Sequence, residues 1–366
     1  MANRECSVFM KLAVLSVFVV TVTGGCNSAG SEASSHGGTT TATGGSSSAS
    51  GGTTAAGGSS IASGGTTGSV GNSGAAQFWI AVASSSDGTK LVAAGNPGYI
   101  YTSSNSGATW TQTAAPQQVW WSVASSSDGT KFVAAGTEGY IYTSADSGLT
   151  WTQTGTEQHW WSVASSSDGT KLVAAEFTGG NPGYVYTSSN SGATWSQTTA
   201  PQQDWMSVAS SSDGTKLVAA GNPGYIYTSS NSGATWSQTT APQQDWTSVA
   251  SSSDGTKLVA AGNPGYIYTS SNSGTTWTQT TAPTAPQQGW TSVASSSDGA
   301  KLVAVGDVDI WTSSDSGATW SQTTAPQQDW MSVASSSDGT KLVAVGGGTT
   351  GILYTSSDSG ATWTQR

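Results

Sequence analysis

Residues 79–113 read WIAVASSSDGTKLVAAGNPGYIYTSSNSGATWTQT, and close copies of this stretch follow one another to the end of the chain. An Asp-Gly turn marks the seven copies, at Asp87, Asp128, Asp168, Asp213, Asp254, Asp298 and Asp338. The copies are 40 to 45 residues apart, which is the repeat length of a four-stranded propeller blade. The sequence therefore predicts an all-β fold over residues 78–366, a seven-bladed β-propeller of four-stranded antiparallel blades.

Each copy contains four segments that are typical of short strands. In the first copy, Trp79 to Ser84 alternates, Lys90 to Ala94 is a continuous apolar run, and Tyr99 to Thr102 is rich in β-forming residues. Thr109 to Thr113 completes the blade. A lone blade cannot bury its faces of small apolar residues, so we expect blades to stack around an axis. The last blade should then pack on the first without sharing a strand.

Two tryptophans recur in every copy, and we expect both to belong to the core. The first opens the first strand, at Trp79, Trp120, Trp160, Trp205, Trp246, Trp290 and Trp330. The second lies in the fourth strand, at Trp110, Trp151, Trp195, Trp236, Trp277, Trp320 and Trp363. Large rings compensate for the many alanines of each blade.

The first 26 residues resemble a bacterial lipoprotein export signal. Arg4 and Lys11 precede an apolar run from Leu12 to Val22, which is too short to span a bilayer. Small residues then lead to Cys26, so we expect this cysteine to be lipidated. The alternative is an ordinary secretory signal with a chance cysteine. Both interpretations predict export, with the protein anchored by lipid at the outer membrane or cell surface, or located in the periplasm.

Residues 27–77 consist almost entirely of Gly, Ser, Thr and Ala, and they predict a disordered tether because so little apolar surface cannot offset ordering entropy. The net charge of −10 argues against a nucleic-acid partner, which needs clustered Lys and Arg. The lysines of the repeats occupy one equivalent position, at Lys90, Lys131, Lys171, Lys216, Lys257, Lys301 and Lys341. We expect them to form a solvated ring.

The turn between the third and fourth strands reads Ser103-x-Asn105-x-Gly107-x-Thr109-Trp110, which resembles the Asp-box or BNR repeat, Ser/Thr-x-Asp-x-Gly-x-Thr-Trp. Asp stands in the acidic place in three copies, at Asp146, Asp315 and Asp358. Asp-boxes occur in sialidases, sortilin-like receptors, carbohydrate-active propellers and the photosystem II assembly and stability factor family. The last is the most similar in blade length and in its W-x-S-V-A opening. This resemblance implies a propeller that binds proteins as an assembly scaffold.

Enzymatic function is disfavoured by the residues that are missing. Sialidase chemistry needs three arginines around a carboxylate, but Arg366 is the only arginine after the signal. Other glycoside hydrolases or lyases need two suitably spaced carboxylates, and they are kept as a less favoured alternative. His36 and His159 stand alone, so no metal site is predicted. We predict no catalytic residue and no cofactor.

Two candidate binding sites lie on the rim that carries the second-to-third-strand turns and the blade connections. The first is a repeated set of glutamines beside tyrosines, represented by Tyr225, Gln243 and Gln244. Amides bond hydroxyl groups and aromatic rings stack on sugars, so this pattern favours a multivalent carbohydrate-binding propeller. The alternative is that recent duplication has copied a polar loop.

The second candidate is the part of this rim where the copies differ. Blades two and three depart from the repeat at Glu138, Glu157, His159, Glu176 and Phe177. The extra tryptophans Trp121 and Trp161 occur in the same blades, and blade six diverges at Asp307 and Asp309. Such asymmetry suits one specific partner, whereas drift in tolerant loops is the alternative.

The leading interpretation is a tethered, non-catalytic, monomeric scaffold for an unidentified protein partner. A carbohydrate binder for a surface polysaccharide is the alternative, and an enzyme is the least favoured class.

Overall fold

The computed structural model describes residues 77–137, 139–179, 182–263, 265–284, 289–347 and 351–366. These ranges form seven sheets of four antiparallel strands, and they contain no helix. The predicted all-β, seven-bladed propeller is confirmed. The predicted signal with Cys26, and all of the predicted tether except Gln77, lie outside the described residues.

The strands follow the order of the repeat. The first strands of the blades are β1 (Trp79–Ser84), β5 (Trp120–Ser125), β9 (Trp160–Ser165), β13 (Trp205–Ser210), β17 (Asp245–Ser251), β21 (Trp290–Ser295) and β25 (Trp330–Ser335). The second strands are β2 (Leu91–Gly95), β6 (Phe132–Gly136), β10 (Leu172–Glu176), β14 (Leu217–Gly221), β18 (Leu258–Asn263), β22 (Leu302–Gly306) and β26 (Leu342–Gly346). The third strands are β3 (Ile100–Ser103), β7 (Gly139–Ser144), β11 (Val185–Ser188), β15 (Ile226–Ser229), β19 (Tyr266–Ser270), β23 (Ile310–Ser313) and β27 (Ile352–Ser356). The fourth strands are β4 (Thr111–Gln112), β8 (Thr152–Gln158), β12 (Ser196–Gln197), β16 (Ser237–Gln238), β20 (Thr278–Gln279), β24 (Ser321–Gln322) and β28 (Thr364–Gln365).

The blades form a closed ring with the first strands on the inside. β1 contacts β5 of the second blade, and it also contacts β25 and β26 of the seventh. Each blade is built from four consecutive strands, so the ring closes by packing, and within the described residues no strand is shared between the first and last blades.

A continuous ring of backbone hydrogen bonds links the S-S-S-D-G turns. The third serine of each turn donates its amide to the carbonyl of the same serine in the next blade, over N···O distances of 2.7–2.8 Å. The seventh bond runs from Ser337 to Ser86 and joins the last blade to the first. The junction of the chain ends is therefore held by the same bond as every other interface.

A second set of bonds joins neighbouring first strands through a serine hydroxyl. The valine amide of one blade donates to the serine Oγ of the preceding blade, as from Val249 to Ser207 at 3.0 Å. Five further interfaces repeat this bond, with donors Val82, Val163, Val208, Val293 and Val333. Blade one carries Ala81 in place of the serine, so the amide of Val123 lacks this acceptor.

Replacing Ala81 with serine should stabilise the protein by about 0.5–1.5 kcal/mol, since it supplies the acceptor that the other six interfaces have. Ser207→Ala should lower stability by a similar amount, because it leaves the amide of Val249 without its partner. Chemical denaturation of the full chain measures both changes. No stabilisation by Ala81→Ser, alongside a clear loss for Ser207→Ala, would contradict the assignment.

The first-strand tryptophans fill the interfaces between blades. Trp246 is fully buried and packs against Val218, Ala220 and Ile226 of the preceding blade. Its ring also meets Tyr268 of its own blade edge-on, with centroids 5.6 Å apart. The fourth-strand tryptophans lie further out and range from buried, as at Trp110, to half-buried. The first set belongs to the core, as predicted, whereas most of the second set is only partly buried and packs against it.

The repeated lysines contact the neighbouring blade. A Cβ on Gly129 of the Asp-Gly turn would lie 2.7 Å from the Cβ and Cδ atoms of Lys90, so the lysine stem packs under the turn of the next blade. The ammonium groups also reach across, as from Lys131 Nζ to the carbonyl of Asp168 at 2.9 Å. The prediction of a solvated ring therefore missed the role of the lysine stems, which lies between blades.

Candidate functional site

The turns of the blades separate onto two rims. Ser106 donates its amide to the carbonyl of Thr89 at 2.8 Å, which places the first-to-second and third-to-fourth turns together on the Asp-Gly rim. On the other side, Gly98 pairs with Gln118, which joins a second-to-third turn to a blade connection. We call this side the connection rim. The candidate binding residues were predicted for this rim.

The Asp-Gly turns are held by the aspartates themselves. Asp254 Oδ1 accepts hydrogen bonds from the hydroxyl of Ser252 at 2.7 Å and from the amide of Thr256 at 2.9 Å. The hydroxyl of Thr256 adds bonds to both carboxylate oxygens. These donors stabilise the charged form, led by Ser252, and lower the pKa of Asp254 from 3.8 to about 2. The aspartates therefore serve the turn.

The Asp-box-like turns form an equally local network. Ser229 Oγ accepts the amide of Gly233 at 2.9 Å and donates to Asn231 Oδ1 at 2.9 Å. Asn231 Oδ1 also accepts the amide of Thr235 at 2.9 Å. Ser232 has φ +57° and Gly233 has φ +88°, so two successive residues adopt the left-handed region. Turn formation thus accounts for the residues that the seven copies share.

The mouth of the central channel on the connection rim is filled by apolar side chains. The residue after the first-strand tryptophan lies at a register shift in every blade, and such a bulge re-aims its side chain. Five of these positions are buried and apolar, namely Ile80, Trp121, Trp161, Met206 and Met331. Phe177 joins the same cluster, which we call the channel plug.

Aromatic stacking organises one side of the plug. The rings of Trp121 and Trp161 stack with centroids 4.2 Å apart, and Phe177 meets Trp161 at 4.8 Å. Blades five and six carry threonine at the equivalent positions. Thr247 Oγ1 donates to the carbonyl of Trp290 at 2.9 Å, and Thr291 Oγ1 donates to that of Trp330 at 2.7 Å. The seven positions after the first-strand tryptophans are therefore apolar on one side of the ring and hydrogen-bonded on the other.

Part of the predicted asymmetric patch consequently lies inside the protein. Phe177 is only 4% exposed within the plug, and Glu176 is 7% exposed beside it. Burial raises the pKa of Glu176, while the amide of Tyr184 donates to its Oε2 at 3.2 Å. Trp121 and Trp161 are core residues as well. These four side chains are buried beneath the rim, so they do not form a surface that a partner could contact.

Two residues of the patch are accessible. Glu157 and His159 are both exposed at the end of β8, where the chain passes from blade two to blade three. The carbonyl of His159 accepts the amide of Phe177 at 3.0 Å, which ties this connection to the inserted segment of blade three. Glu138 lies outside the described residues.

The acidic pair of blade six belongs to a different part of the rim. Asp307 and Asp309 are half-buried, and the amide of Asp307 donates to the carbonyl of Gly289 at 3.0 Å. Blade six is separated from blades two and three by other blades in both directions around the ring. The structure therefore does not bring these aspartates together with Glu157 and His159.

In the repeated glutamine and tyrosine set, the first glutamine of a pair is exposed and the second takes part in the fold. Gln243 is exposed, whereas Gln244 is half-buried and pairs with Gly224 in the preceding turn. Tyr225 is half-buried. In the neighbouring blade, Gln202 Nε2 donates to the hydroxyl of Tyr184, so the first glutamine of a pair does meet a tyrosine.

Sequence reasoning missed the plug, although a signal for it was present. Five of the plug residues directly follow the first-strand tryptophan, and this position varies among Ile, Trp, Met and Thr, whereas the tryptophan before it is constant and the serine after it is replaced only by Ala81. A position that changes within an otherwise repeated strand indicates a place where seven side chains meet and cannot all be alike.

The described residues contain no group of three His, Cys, Asp or Glu side chains that could hold a metal ion. None of them lies in a helix long and apolar enough to cross a membrane.

The fold defines the chain as a seven-bladed β-propeller of the type built from four consecutive strands per blade. Among solved structures it is similar to YCF48 from Cyanidioschyzon merolae, with a TM-score of 0.58 and 16% sequence identity. The match covers 77% of this chain and 96% of that chain, and it shows a shared fold. No protein-family model and no curated protein sequence matches the chain.

Proposed function

We propose that this protein is a non-catalytic scaffold that binds a protein partner through blades two and three. Export and a lipid anchor at Cys26 would hold it at a bacterial membrane, with residues 27–77 as the tether. The observation that carries the proposal is the exposure of Glu157 and His159 on a blade connection unlike the other five. A divergent surface in a ring of otherwise similar blades suits one specific partner.

Two further features support a binding role. Small-molecule sites are usually concave pockets, and the channel plug fills the central mouth of the ring, which favours binding on the rims instead. The sequence resemblance to the photosystem II assembly and stability factor family, in blade length and in the W-x-S-V-A opening, also favours a scaffold. A glycoside hydrolase or lyase gains no support, because the plug occupies the central mouth of the ring.

A carbohydrate-binding role is the second candidate, and the contact between Gln202 and Tyr184 favours it. Several such pairs around the rim would bind a polymer by avidity. The two candidates differ in stoichiometry, since a polysaccharide should occupy several equivalent sites and a protein partner should occupy one. Saturable retention of the full chain on a cell-surface polysaccharide would favour the carbohydrate role.

Glu157→Ala with His159→Ala should weaken binding to a partner by about tenfold or more, because both side chains are exposed on the divergent connection. A partner is first recovered by cross-linking to the full-length protein in producing cells and is then purified. Its affinity for each variant is measured by calorimetry.

The matched control is Gln327→Ala with Asp329→Ala, which changes the equivalent exposed positions of the seventh blade. This control should bind like the unmodified protein. Equal affinity of all three proteins for the purified partner would rule out the divergent connection as its site.

A further inference from the structure

Blade two ends in an outer strand unlike those of the other blades. β8 contains seven residues, Thr152–Gln158, whereas each of the other six fourth strands contains two. Elsewhere a proline follows four residues after the fourth strand, at Pro116, Pro201, Pro242, Pro283 and Pro326, and proline cannot donate to a strand ladder. Residues 152–158 contain none, so this strand continues beside β7.

The edge of β8 is exposed at Gln153, whereas blade three contacts the strand further along, where Trp195 Nε1 donates to Thr154 Oγ1 and Trp160 Nε1 donates to the carbonyl of Thr156. Thr152 and Thr154 lie opposite Thr143 and Ile141 of β7, with Gln153 between them. In the equivalent place of blade one, Thr113 donates its amide inward to Ile100 at 2.9 Å. Because bonding alternates along an antiparallel pair, the amide and carbonyl of Gln153 point away from the sheet. An edge of this kind can accept another strand.

An exposed apolar side chain stands at one end of this edge. Leu149 is 76% exposed, and it is the only large apolar residue so exposed in the described part of the chain. Other copies carry Ala or Thr at this position, as at Ala108 and Thr275. One exposed leucine is ordinary on a protein surface. Here it precedes, by three residues, the only long outer strand among the described blades.

Acidic groups flank the same edge. Asp146 lies in the turn that holds Leu149, and hydrogen bonds from Thr150 lower its pKa, which further favours the charged form. Glu157 is exposed beyond Gly155, whose φ of +74° marks the irregular part of the strand. The pairing stretch at Gln153 is therefore bounded by one apolar group and two carboxylates.

We propose that blade two binds an extended segment of its protein partner as a fifth strand along β8. The segment pairs with the backbone at Gln153, covers Leu149 with an apolar side chain, and places Lys or Arg near Asp146 or Glu157. The net charge of −10 favours such a basic segment. This inference rests on the proposed scaffold function and adds the binding mode and the chemistry of the partner.

In the test, peptides that bind the full-length protein are selected from a phage-display library of random decapeptides. Enriched peptides should combine apolar and basic residues. Gln153→Pro should weaken their binding by at least about tenfold, because it removes the outward amide. Leu149→Ala restores the residue common in the other blades and should also weaken binding.

The matched control is Gln238→Pro in blade four. It loses the same tyrosine hydrogen bond, since Tyr227 donates to Gln238 Oε1 at 3.0 Å as Tyr142 does to Gln153 Oε1. The control should bind the peptides like the unmodified protein, and thermal unfolding of the two proline variants should be alike.

The outcomes separate this inference from the proposed function. Peptides that bind Gln153→Pro unchanged but depend on His159 would overturn the edge-strand mode and leave the scaffold function in place. Recovery of no peptide, together with saturable polysaccharide binding, would overturn both. If the protein associates with itself and Gln153→Pro abolishes that association, the proposal of a different protein partner is overturned, because the strand paired with β8 then comes from a second copy of this chain.

Discussion

Replacing Trp246 with alanine should lower the free energy of unfolding by about 3–5 kcal/mol, the usual cost of truncating a fully buried large aromatic side chain. Trp246 has no exposed surface, and its indole lies between blades four and five. Removal leaves a cavity that the short alanine and valine side chains around it cannot fill. Denaturant unfolding followed by circular dichroism measures the change.

The comparison variant is Trp363→Ala in the last blade. Trp363 is half-buried, and its Nε1 bonds the carbonyl of Gly360 at 3.1 Å within its own turn. We expect a smaller loss there, because the side chain can be replaced partly by water. A loss below about 1 kcal/mol for Trp246→Ala would contradict the view that the first-strand tryptophans hold the blades together.

Acidification should destabilise the propeller as the pH falls from about 4 towards 2. Hydrogen bonds from a serine hydroxyl, and then from the Thr amide and hydroxyl, lower the pKa of the turn aspartate to about 2 in six blades. A pKa that is lower in the folded than in the unfolded state adds stability above the unfolded value of about 4. That contribution is lost as the pH approaches the folded value.

Thermal unfolding of the full chain at a series of pH values tests this expectation. The melting temperature should be nearly constant between pH 5 and 7 and should drop steeply below about pH 4. Blade six provides an internal comparison, because Ala300 replaces the threonine whose hydroxyl would bond Asp298. Ala300→Thr should raise stability slightly at neutral pH. A melting temperature that stays unchanged down to pH 2.5 would be inconsistent with this role of the aspartates.

Local features of the repeat were predictable from the sequence because they depend on residues close together in the chain. The first strand was predicted at its observed bounds, Trp79–Ser84, and the turns followed from Asp-Gly and from Ser-x-Asn-x-Gly. The fourth strand was predicted as residues 109–113 and is shorter, Thr111–Gln112, because the Asp-box-like turn takes up Thr109 and Trp110. The blade count and the closure by packing followed from the number and the order of these units.

The candidate site was predicted less completely, because it depends on contacts between copies. Glu157 and His159 are accessible as expected, but Phe177 and Glu176 were assigned to a surface and are buried. No spacing within one repeat shows that seven bulged first strands converge, so the stacking of Trp121 on Trp161 was not foreseen. The extension of β8 was missed as well, because the divergent connection was interpreted as a binding loop and its effect on strand length was not considered.

The sequence by itself determined the fold class, the seven blades, the order of the strands and the chemistry of the turns, since short-range spacing and turn residues specify them. Only the tertiary structure decided which side chains fill the channel mouth, how the lysine stems pack between adjacent blades, and that the outer strand of blade two extends past Gln153. These features arise where residues from different copies meet. Closing the ring brings those residues together, and a single repeat does not contain that information.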